Sequence, residues 1–335
     1  MACVEVPEIH PVKNPSALFL LALSLLASSF AMPAAASTTG EPVNFLYVGA
    51  GELERHRPLL RRPDIAGVQV VYSWKALETA PGVFDFSAIE ADLRVMETLN
   101  KKMFVQIQDR FFEPGARHVP RYLLEDPRYG GGLVPQFDNP GENKPPTIGW
   151  VAQQWNPAVR ERYQNLLKAL ASRFDGQVYG VNLPETAIDV DAKADRSGFS
   201  CDRYFEAEME NLAVARQAFR KSFVVQYVNF WPCEWDNSHN YMGRLFAYAA
   251  DHGIGLGGPD IVPGRKGQMK NSYPFFNRYK GRLAMVAMAV QEPTLTYTNP
   301  ATRRPFTRTE FSEYAMNYLG AGIIFWSPQS PWLKR

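Results

Sequence analysis

Gly67-Val-Gln-Val-Val-Tyr72 and Lys102-Met-Phe-Val-Gln-Ile-Gln108 are two short apolar runs on either side of the stretch Ser87-Ala-Ile-Glu-Ala-Asp-Leu-Arg-Val-Met-Glu-Thr-Leu99. Continuous runs of this kind predict β-strands that are buried on both faces. Ser87 and Glu90 have the spacing of a helix capping box, and the stretch that follows them is amphipathic. The segment is therefore predicted to be strand, helix and strand, the repeating unit of an α/β fold.

The same alternation recurs along the chain, which contains eight apolar runs separated by helical patterns. The runs are 44–48, 67–72, 102–108, 178–182, 223–229, 253–257, 283–291 and 322–326. Eight alternations without a linker rich in Pro, Gly or Ser predict a single α/β domain, a closed (β/α)8 TIM barrel. The rival fold, an open doubly wound sheet, usually has G-x-G-x-x-G after its first strand. Here Glu54 occupies the position of the third glycine.

Two connections of the predicted barrel differ from the others. Residues 109–156 separate the third strand from the helix that Asn156-Pro157 begins, which predicts an elaborated loop after strand three. Only residues 327–335 follow the eighth strand, so the last helix is predicted to be reduced or missing. Thr307 and Glu310 have the spacing of a second capping box, which predicts the start of the preceding helix.

The composition is that of a globular protein without a polyanionic partner. Of the 335 residues, 46% are apolar and 21% are charged, and the formal net charge is only +2. Binding to nucleic acid needs a surplus of cations that releases counterions from phosphates, so we expect no such partner. The histidines lack zinc-site spacing, and the acidic run 189–195 lacks the glycine and the distant Glu of an EF-hand loop. We therefore expect no metal and no cofactor.

The N-terminus has the pattern of a secretory signal peptide. Lys13 precedes an apolar stretch at 17–31, which is followed by Pro33 and small residues up to Ala36. The stretch is shorter than the ~20 residues that span a bilayer, so cleavage after Ala36 would leave no membrane anchor. We expect residues 1–36 to be a signal peptide and the mature protein to be a secreted or periplasmic monomer.

Two cysteines remain in the predicted mature chain, Cys201 and Cys233. In an oxidising compartment such a pair tends to form a disulfide. The alternative is two separate buried thiols, because sequence spacing does not determine which cysteines are bonded.

All seven tryptophans lie at or after the predicted C-terminal ends of strands, where a TIM barrel carries its active site. They are Trp74, Trp150, Trp155, Trp231, Trp235, Trp326 and Trp332. Core packing would scatter such residues over helices and strands, so the set indicates a cleft with aromatic walls. For any single tryptophan, packing is the alternative, and Trp150 and Trp155 would then simply fasten the long loop.

Carboxylates also cluster at strand ends, and two of them follow very apolar runs. Glu185 ends the stretch Val181-Asn-Leu-Pro-Glu185, and Glu292 ends the run that begins at Leu283. A partly desolvated carboxyl group has a raised pKa, whereas a second one in polar surroundings stays ionised. Cleavage of a glycosidic bond needs such a pair, one as acid and one as nucleophile.

The segment Trp74-Lys-Ala-Leu-Glu-Thr-Ala-Pro-Gly-Val-Phe-Asp-Phe86 resembles the W-x-x-L-E-x-x-P-G-x-(F/Y)-D-F signature that follows the second strand in clan A glycoside hydrolases. The resemblance implies a retaining (β/α)8 enzyme with its acid/base Glu after strand four and its nucleophile Glu after strand seven. These positions are Glu185 and Glu292. It also implies that Trp326, at the end of strand eight, forms the floor of a sugar site. Residues 37–335 would be the catalytic domain, and a carbohydrate would be the substrate.

Two positions differ from the clan pattern. The clan commonly has Asn directly before the acid/base Glu, where this chain has Pro184, with Asn182 two residues earlier. The clan also often supplies Tyr or His near strand six to orient the nucleophile, and neither is present here. Asp260, or residues at the end of strand five, are the candidate substitutes. The predicted substrate-binding residues are Trp74, Asn182, Tyr227, Asn229, Trp231, Asp260 and Trp326.

The sequence thus predicts an exported retaining glycoside hydrolase that cleaves β-linked oligo- or polysaccharides with Glu185 and Glu292. The alternative is a catalytically inactive barrel that binds glycans during polysaccharide handling. Transglycosylation also stays open, because transfer to another sugar uses the same pair of carboxylates.

Overall fold

The computed structural model of the chain describes residues 40–138, 140 and 146–334, so the predicted signal peptide lies outside the described residues. The barrel strands are β1 (Val43–Gly49), β2 (Ile65–Ser73), β3 (Lys102–Gln108), β4 (Gly180–Leu183), β5 (Phe223–Tyr227), β6 (Gly255–Gly258), β7 (Val286–Val290) and β8 (Ile323–Trp326). Neighbouring strands are parallel, and β8 pairs with β1, which closes the barrel. Each strand overlaps one of the eight predicted runs. The predicted single (β/α)8 barrel is therefore confirmed.

Helices connect the strands. They are α1 (Leu53–Leu60), α2 (Trp74–Leu77), α3 (Ser87–Leu99), α4 (Arg121–Glu125), α5 (Pro157–Phe174), α6 (Cys201–Ala218), α7 (Tyr241–Asp251), α8 (Lys266–Asn271), α9 (Tyr273–Arg278) and α10 (Arg308–Tyr314), which continues as a π-helical turn at Ala315–Leu319. Short 3-10 turns lie at Pro127–Tyr129, Pro293–Thr296 and Pro331–Leu333. Among the described helices, none combines the length and the hydropathy needed to cross a membrane.

Two of the three predicted helix starts have the expected caps. Asn156 Oδ1 accepts a hydrogen bond from the Ala158 backbone N–H at 2.9 Å, and Thr307 with Glu310 forms a complete capping box. The capping box predicted at Ser87 is wrong. Helix α3 already includes Ser87, whose backbone N–H donates to Asp85 Oδ1 at 3.0 Å. The side chain that satisfies this helix end is thus two residues earlier than the sequence pattern indicated.

Aromatic rings fill the lower part of the barrel. The ring of Phe104 lies 5.7 Å from that of Phe45 and 5.2 Å from that of Phe325, centroid to centroid. Two glycines make room for these rings: a Cβ on Gly67 would stand 2.4 Å from the Phe45 ring, and one on Gly180 would stand 2.4 Å from the Phe104 ring. Alternation of large and small residues across strands is how a narrow barrel reaches native packing density.

Closer to the C-terminal ends of the strands, the inward-facing side chains become polar. Gln69 donates to Gln106, and the Tyr227 hydroxyl donates to Gln69 Oε1 at 2.6 Å. Gln69 is level with Tyr47 on β1, and Gln106 is level with Asn182 on β4. This polar layer separates the aromatic bottom of the barrel from its mouth.

The connection after β3 carries its own small sheet. Arg110–Phe111, Thr147–Ala152 and Leu133–Phe137 form three antiparallel strands. A covalent link lies at the next connections, where Cys201 at the start of α6 is bonded to Cys233 after β5, with 6.2 Å between their Cα atoms. Of the two alternatives for these cysteines, the structure has the disulfide.

Candidate active site

The two predicted glutamates lie at the same rim of the barrel. Glu185 follows the end of β4 by two residues, and Glu292 follows the end of β7 by two residues. Because all eight strands are parallel, their C-terminal ends meet at one mouth, which is the catalytic face of this fold.

Tyr47 shows how close the carboxylates come to one another. It lies on β1, two residues beyond Phe45, so both side chains point into the barrel. Burial raises the pKa of Tyr47 to about 12, and the carboxylates of Glu292, Glu185 and Asp260 add to this increase. Since Coulomb energy falls with distance, all three carboxylates lie close enough to this hydroxyl to act on it. The structure thus brings Glu185, Glu292 and Asp260 together.

The carboxyl group of Glu185 is largely desolvated. Burial raises its pKa to about 7, and the carboxylates of Asp260 and Asp189 push it in the same direction. Asn229 opposes this increase, because its Nδ2 donates to Glu185 Oε2 at 3.2 Å and thereby favours the ionised form. Arg110 also lowers the pKa. A carboxyl group with a pKa near 7 is suited to donate and take back a proton at neutral pH.

Glu292 is held by a neighbouring strand end. Ser327 Oγ, the first side chain after β8, donates to Glu292 Oε1 at 2.7 Å, and the Ser327 backbone N–H donates to the Val290 carbonyl at 2.9 Å. The carboxylate therefore has a fixed orientation at the start of the 3-10 turn Pro293–Thr296.

Asp260 is the third carboxylate at the mouth. Burial raises its pKa, whereas the hydroxyl of Thr294, which donates to Asp260 Oδ1, lowers it. The Tyr273 hydroxyl donates to the Asp260 backbone carbonyl at 2.8 Å and fixes the main chain there. Asp260 was predicted to bind substrate or to orient the nucleophile, and its position beside Tyr47 is compatible with either role.

Beneath Glu185 lies a fully buried arginine. Arg110 donates to Asp109 Oδ1 and to Glu208 Oε1, each at 2.8 Å, and to the backbone carbonyl of Glu185 at 2.5 Å. It also donates to the hydroxyl of Tyr204. The guanidinium therefore contacts the main chain of Glu185 and makes no ion pair with its carboxyl group among the described residues.

Asn182 and Tyr227 were predicted to bind substrate, and the structure places both inside the barrel. Asn182 is fully buried, and Tyr227 is 1% exposed. The Asn182 amide lies beside the Tyr227 hydroxyl, but its nitrogen and oxygen have no hydrogen-bond partner within the described residues. Both side chains belong to the polar layer inside the barrel: Asn182 lies one residue before the end of β4, and Tyr227 is the last residue of β5.

The three tryptophans predicted as sugar platforms are also buried. Trp326 faces the outer layer, where its ring lies 5.0 Å from that of Trp332 and its Nε1 donates to Asn44 Oδ1 at 2.8 Å. Trp231 packs against Phe205 at 4.9 Å in the layer that α6 covers. Strand alternation explains the error for Trp326: Phe325 and Ser327 point inward, so the residue between them points outward.

Trp74 has a structural role that explains the spacing of the sequence signature. Its Nε1 donates to Glu78 Oε2 at 2.9 Å, while the backbone N–H of Gly82 donates to Glu78 Oε1 at 2.9 Å. Arg162 of α5 completes an ion pair with the same carboxylate. Gly82 has φ +76°, a conformation that side chains rarely adopt. The signature therefore builds a turn below the mouth and supplies no stacking surface.

The remaining tryptophans lie in the connections around the mouth. Trp155 is buried against Phe199, and Trp150 lies under the guanidinium of Arg117, 3.4 Å from its ring centroid. Trp235 is 57% exposed and is the most accessible of the seven. Tryptophans gather at this end of the barrel mainly because the long connections there need a core of their own.

Tyr47, Ser327 and Arg110 are site residues that the sequence analysis missed. Strand alternation was the available signal for two of them: Phe45 and Tyr47 share a face, as do Phe325 and Ser327. Nothing in the sequence marks Arg110, since its partners Tyr204 and Glu208 lie on a helix that is distant along the chain. Among the described residues, no group of His, Cys, Asp and Glu has the arrangement of a metal site.

Comparison with known proteins gives matches of fold only. No family model and no curated sequence matches the chain. The catalytic domain of a beta-amylase from Paenibacillus polymyxa is similar over 86% of this chain and 93% of its own, with 9% identity and a TM-score of 0.55. A psychrophilic family 10 endo-beta-1,4-xylanase has 10% identity and a TM-score of 0.48, over 86% of each chain. A family 10 endoxylanase from a sugarcane soil metagenome has 12% identity and a TM-score of 0.48, over 88% of this chain and 89% of its own. The predicted resemblance to (β/α)8 glycoside hydrolases is thus confirmed at the level of the fold.

Proposed function

We propose that the protein is a retaining glycoside hydrolase, with Glu185 as general acid/base and Glu292 as nucleophile. The observation that carries this proposal is the pairing of a desolvated carboxyl group, with a pKa of about 7, and a hydrogen-bonded carboxylate around the Tyr47 hydroxyl. Two carboxyl groups in unlike surroundings at one barrel mouth are what glycosidic cleavage requires. The fold that the chain shares with a beta-amylase supports a carbohydrate substrate.

The proposed reaction proceeds in two displacements. Glu185 donates its proton to the glycosidic oxygen as the bond to the anomeric carbon breaks, and a carboxylate oxygen of Glu292 bonds to that carbon. The leaving sugar departs as an alcohol. Glu185, now ionised, takes a proton from a water molecule, whose oxygen attacks the anomeric carbon and releases the Glu292 carboxylate. The net change is the addition of water across the glycosidic bond.

The finer parts of this proposal concern substrate and location. We propose β-linked oligo- or polysaccharides as substrates, on the similarity of the 74–86 segment to the clan A signature. We also propose export to the periplasm or the medium, on the signal-peptide pattern of residues 1–36. The disulfide between Cys201 and Cys233 fits an oxidising compartment.

A screen of the protein against diverse polysaccharides tests the proposal, with Glu292→Gln as the comparison. We expect Glu292→Gln to lower kcat by at least about a thousandfold, because the covalent intermediate cannot form. NMR of the first-formed product should show the anomeric configuration of the substrate. Full activity of the variant, or an inverted product, would refute the assignment of Glu292 as nucleophile.

A glycan-binding barrel without hydrolysis is the second candidate. Pro184 occupies the position before Glu185 where clan members commonly have Asn, and the three predicted sugar platforms are buried. If the wild type binds a polysaccharide in calorimetry but releases no product from it over days, this second function replaces the first.

A further inference from the structure

The main chain around Glu185 is held from several sides. The carbonyl of Pro184 accepts a hydrogen bond from Gln226 Nε2 at 2.5 Å, and that of Glu185 accepts one from Arg110. The carbonyl of Thr186 accepts one from the Tyr204 hydroxyl at 2.9 Å. Three consecutive carbonyls are therefore fixed, and two of their donors, Arg110 and Tyr204, are also bonded to each other.

The cluster behind these donors is buried and joins the connection after β3 to helix α6. Asp109, the first partner of Arg110, accepts a hydrogen bond from Gln154 Nε2 at 2.6 Å. Gln154 in turn accepts one from Asn211 of α6 at 3.1 Å, and α6 also carries Tyr204 and Glu208. The position of the Glu185 backbone is thus tied to the packing of the loop after β3 against α6.

Stability alone does not explain such a cluster. Removing charged groups from water costs several kcal/mol per ion, and well-packed apolar residues often replace a buried ion pair at no loss of stability. A second ion pair joins the partly exposed Arg162 to the fully buried Glu78; it holds the turn after β2 and contacts none of the carbonyls near Glu185. The two pairs therefore differ in what they position.

Resting on the function proposed above, we propose that Arg110 and Tyr204 are positioning residues, which hold the main chain at residues 185–186 and so fix where the Glu185 carboxyl group stands in the mouth. The charge of Arg110 acts in addition to its geometry. It lowers the pKa of Glu185, against burial and against the carboxylates of Asp260 and Asp189. The remaining polar neighbour of that carboxyl group is the Asn229 amide.

Three variants separate position from charge. Tyr204→Phe removes the donor to Thr186 with no change of charge, and Arg110→Lys keeps the cation but loses the planar fork that reaches several acceptors. We expect both to lower kcat by roughly tenfold or more on an unactivated glycoside, with KM nearly unchanged. Both should leave the basic limb of the pH–kcat/KM profile almost in place. Arg110→Met should lower kcat by a similar factor. It should also move the basic limb to higher pH, because the cation that lowers the pKa of Glu185 is gone.

Arg162→Met is the matched control, because it removes a partly buried arginine from an ion pair with a fully buried carboxylate away from Glu185. We expect it to lower the melting temperature and to leave kcat and the pH profile as in the wild type. The inference is overturned if Tyr204→Phe and Arg110→Lys keep wild-type kcat, or if Arg162→Met reproduces their kinetics. Should Arg110→Met fail to fold, the other two variants still decide the question.

Failure of the proposed function gives a different result. If the wild type hydrolyses no glycan, the Glu185 carboxyl carbon is followed by 13C NMR titration, with Glu185→Gln to assign its signal. A higher titration midpoint in Arg110→Met than in the wild type would support the influence of Arg110 without any activity measurement. An unchanged midpoint in that variant would refute it.

Discussion

Glu185 and Glu292 occupy equivalent places, each two residues past a barrel strand, yet their surroundings differ. Glu185 lies beside a buried ionic cluster supplied by the loop after β3 and by α6, and Asn229 donates a hydrogen bond to its carboxyl group. Glu292 depends on one hydroxyl from the adjacent strand end, Ser327. Identical side chains thus acquire different properties from different sources: remote segments surround the proposed acid, and neighbouring strands orient the proposed nucleophile.

Among changes in the surroundings of the proposed acid, the largest expected effect comes from removing the acid itself. Glu185→Gln should lower kcat/KM by about 10²- to 10⁴-fold on glycosides with poor leaving groups, because general acid catalysis contributes that much. Aryl glycosides with acidic leaving phenols need no proton from the enzyme, so kcat/KM on these substrates should fall far less. Steady-state kinetics on the two substrate classes measures this, and an equal loss on both would assign the acid role to another residue.

The pH profile follows from the same group. The proposed first step needs protonated Glu185, so kcat/KM should fall as pH rises through the pKa of about 7. A stopped assay between pH 5 and 9 measures this limb. In Glu185→Gln the limb should disappear, and its persistence there would assign it to a different group.

Removing the hydrogen-bond donor of each carboxyl group should have a smaller effect on the kinetics than removing the carboxyl group itself. Ser327→Ala removes the donor to Glu292, and we expect kcat to fall by about tenfold or more, since a hydrogen bond to a charged group contributes about 1.5–3 kcal/mol. Asn229→Ala removes a donor that favours ionised Glu185, so its pKa should rise and the basic limb should move to higher pH. The pH–kcat/KM profiles of both variants measure this difference. A basic limb that moved in Ser327→Ala and stayed in place in Asn229→Ala would contradict the different roles given to the two donors.

The buried acid also predicts how stability depends on pH. The pKa of Glu185 rises from 4.5, its ordinary value, to about 7 in the folded state, so the fold binds more protons than the unfolded chain between these values. The contribution of Glu185 to the free energy of unfolding is therefore fully present below pH 4.5 and is lost as pH rises to about 7. Thermal unfolding from pH 5 to 8 should show a falling melting temperature. Glu185→Gln should reduce this slope without abolishing it, because burial also raises the pKa of Glu208 to about 7.

The smallest effect on activity is expected for Trp74→Phe, although Trp74 was predicted to bind sugar. The change leaves a buried oxygen of Glu78 without its indole donor, which should cost about 1–3 kcal/mol of stability. KM should stay within about twofold of the wild type, since the ring is fully buried. Denaturant unfolding and steady-state kinetics measure both values. A raised KM with unchanged stability would restore the sugar-platform hypothesis.

The barrel and the position of its two glutamates were accessible from the sequence because they depend on local patterns. Eight apolar runs separated by amphipathic stretches specify the number and order of strands, and parallel pairing then places Glu185 and Glu292 at one rim. The roles of individual aromatic residues were not accessible. In a strand that is covered on both faces, inward and outward positions are both apolar, so the sequence does not reveal that Trp326 points outward between Phe325 and Ser327.

The sequence by itself determined the (β/α)8 architecture, one polar rim and two candidate carboxyl groups, because periodicity and strand-end position are properties of short segments. Tertiary structure alone decided that the tryptophans pack below the connections, that Tyr47 stands among three carboxylates, and that Arg110 supports Glu185. These features depend on contacts between residues that are far apart along the chain. Desolvation, which sets the pKa of Glu185, exists only once those segments have packed together.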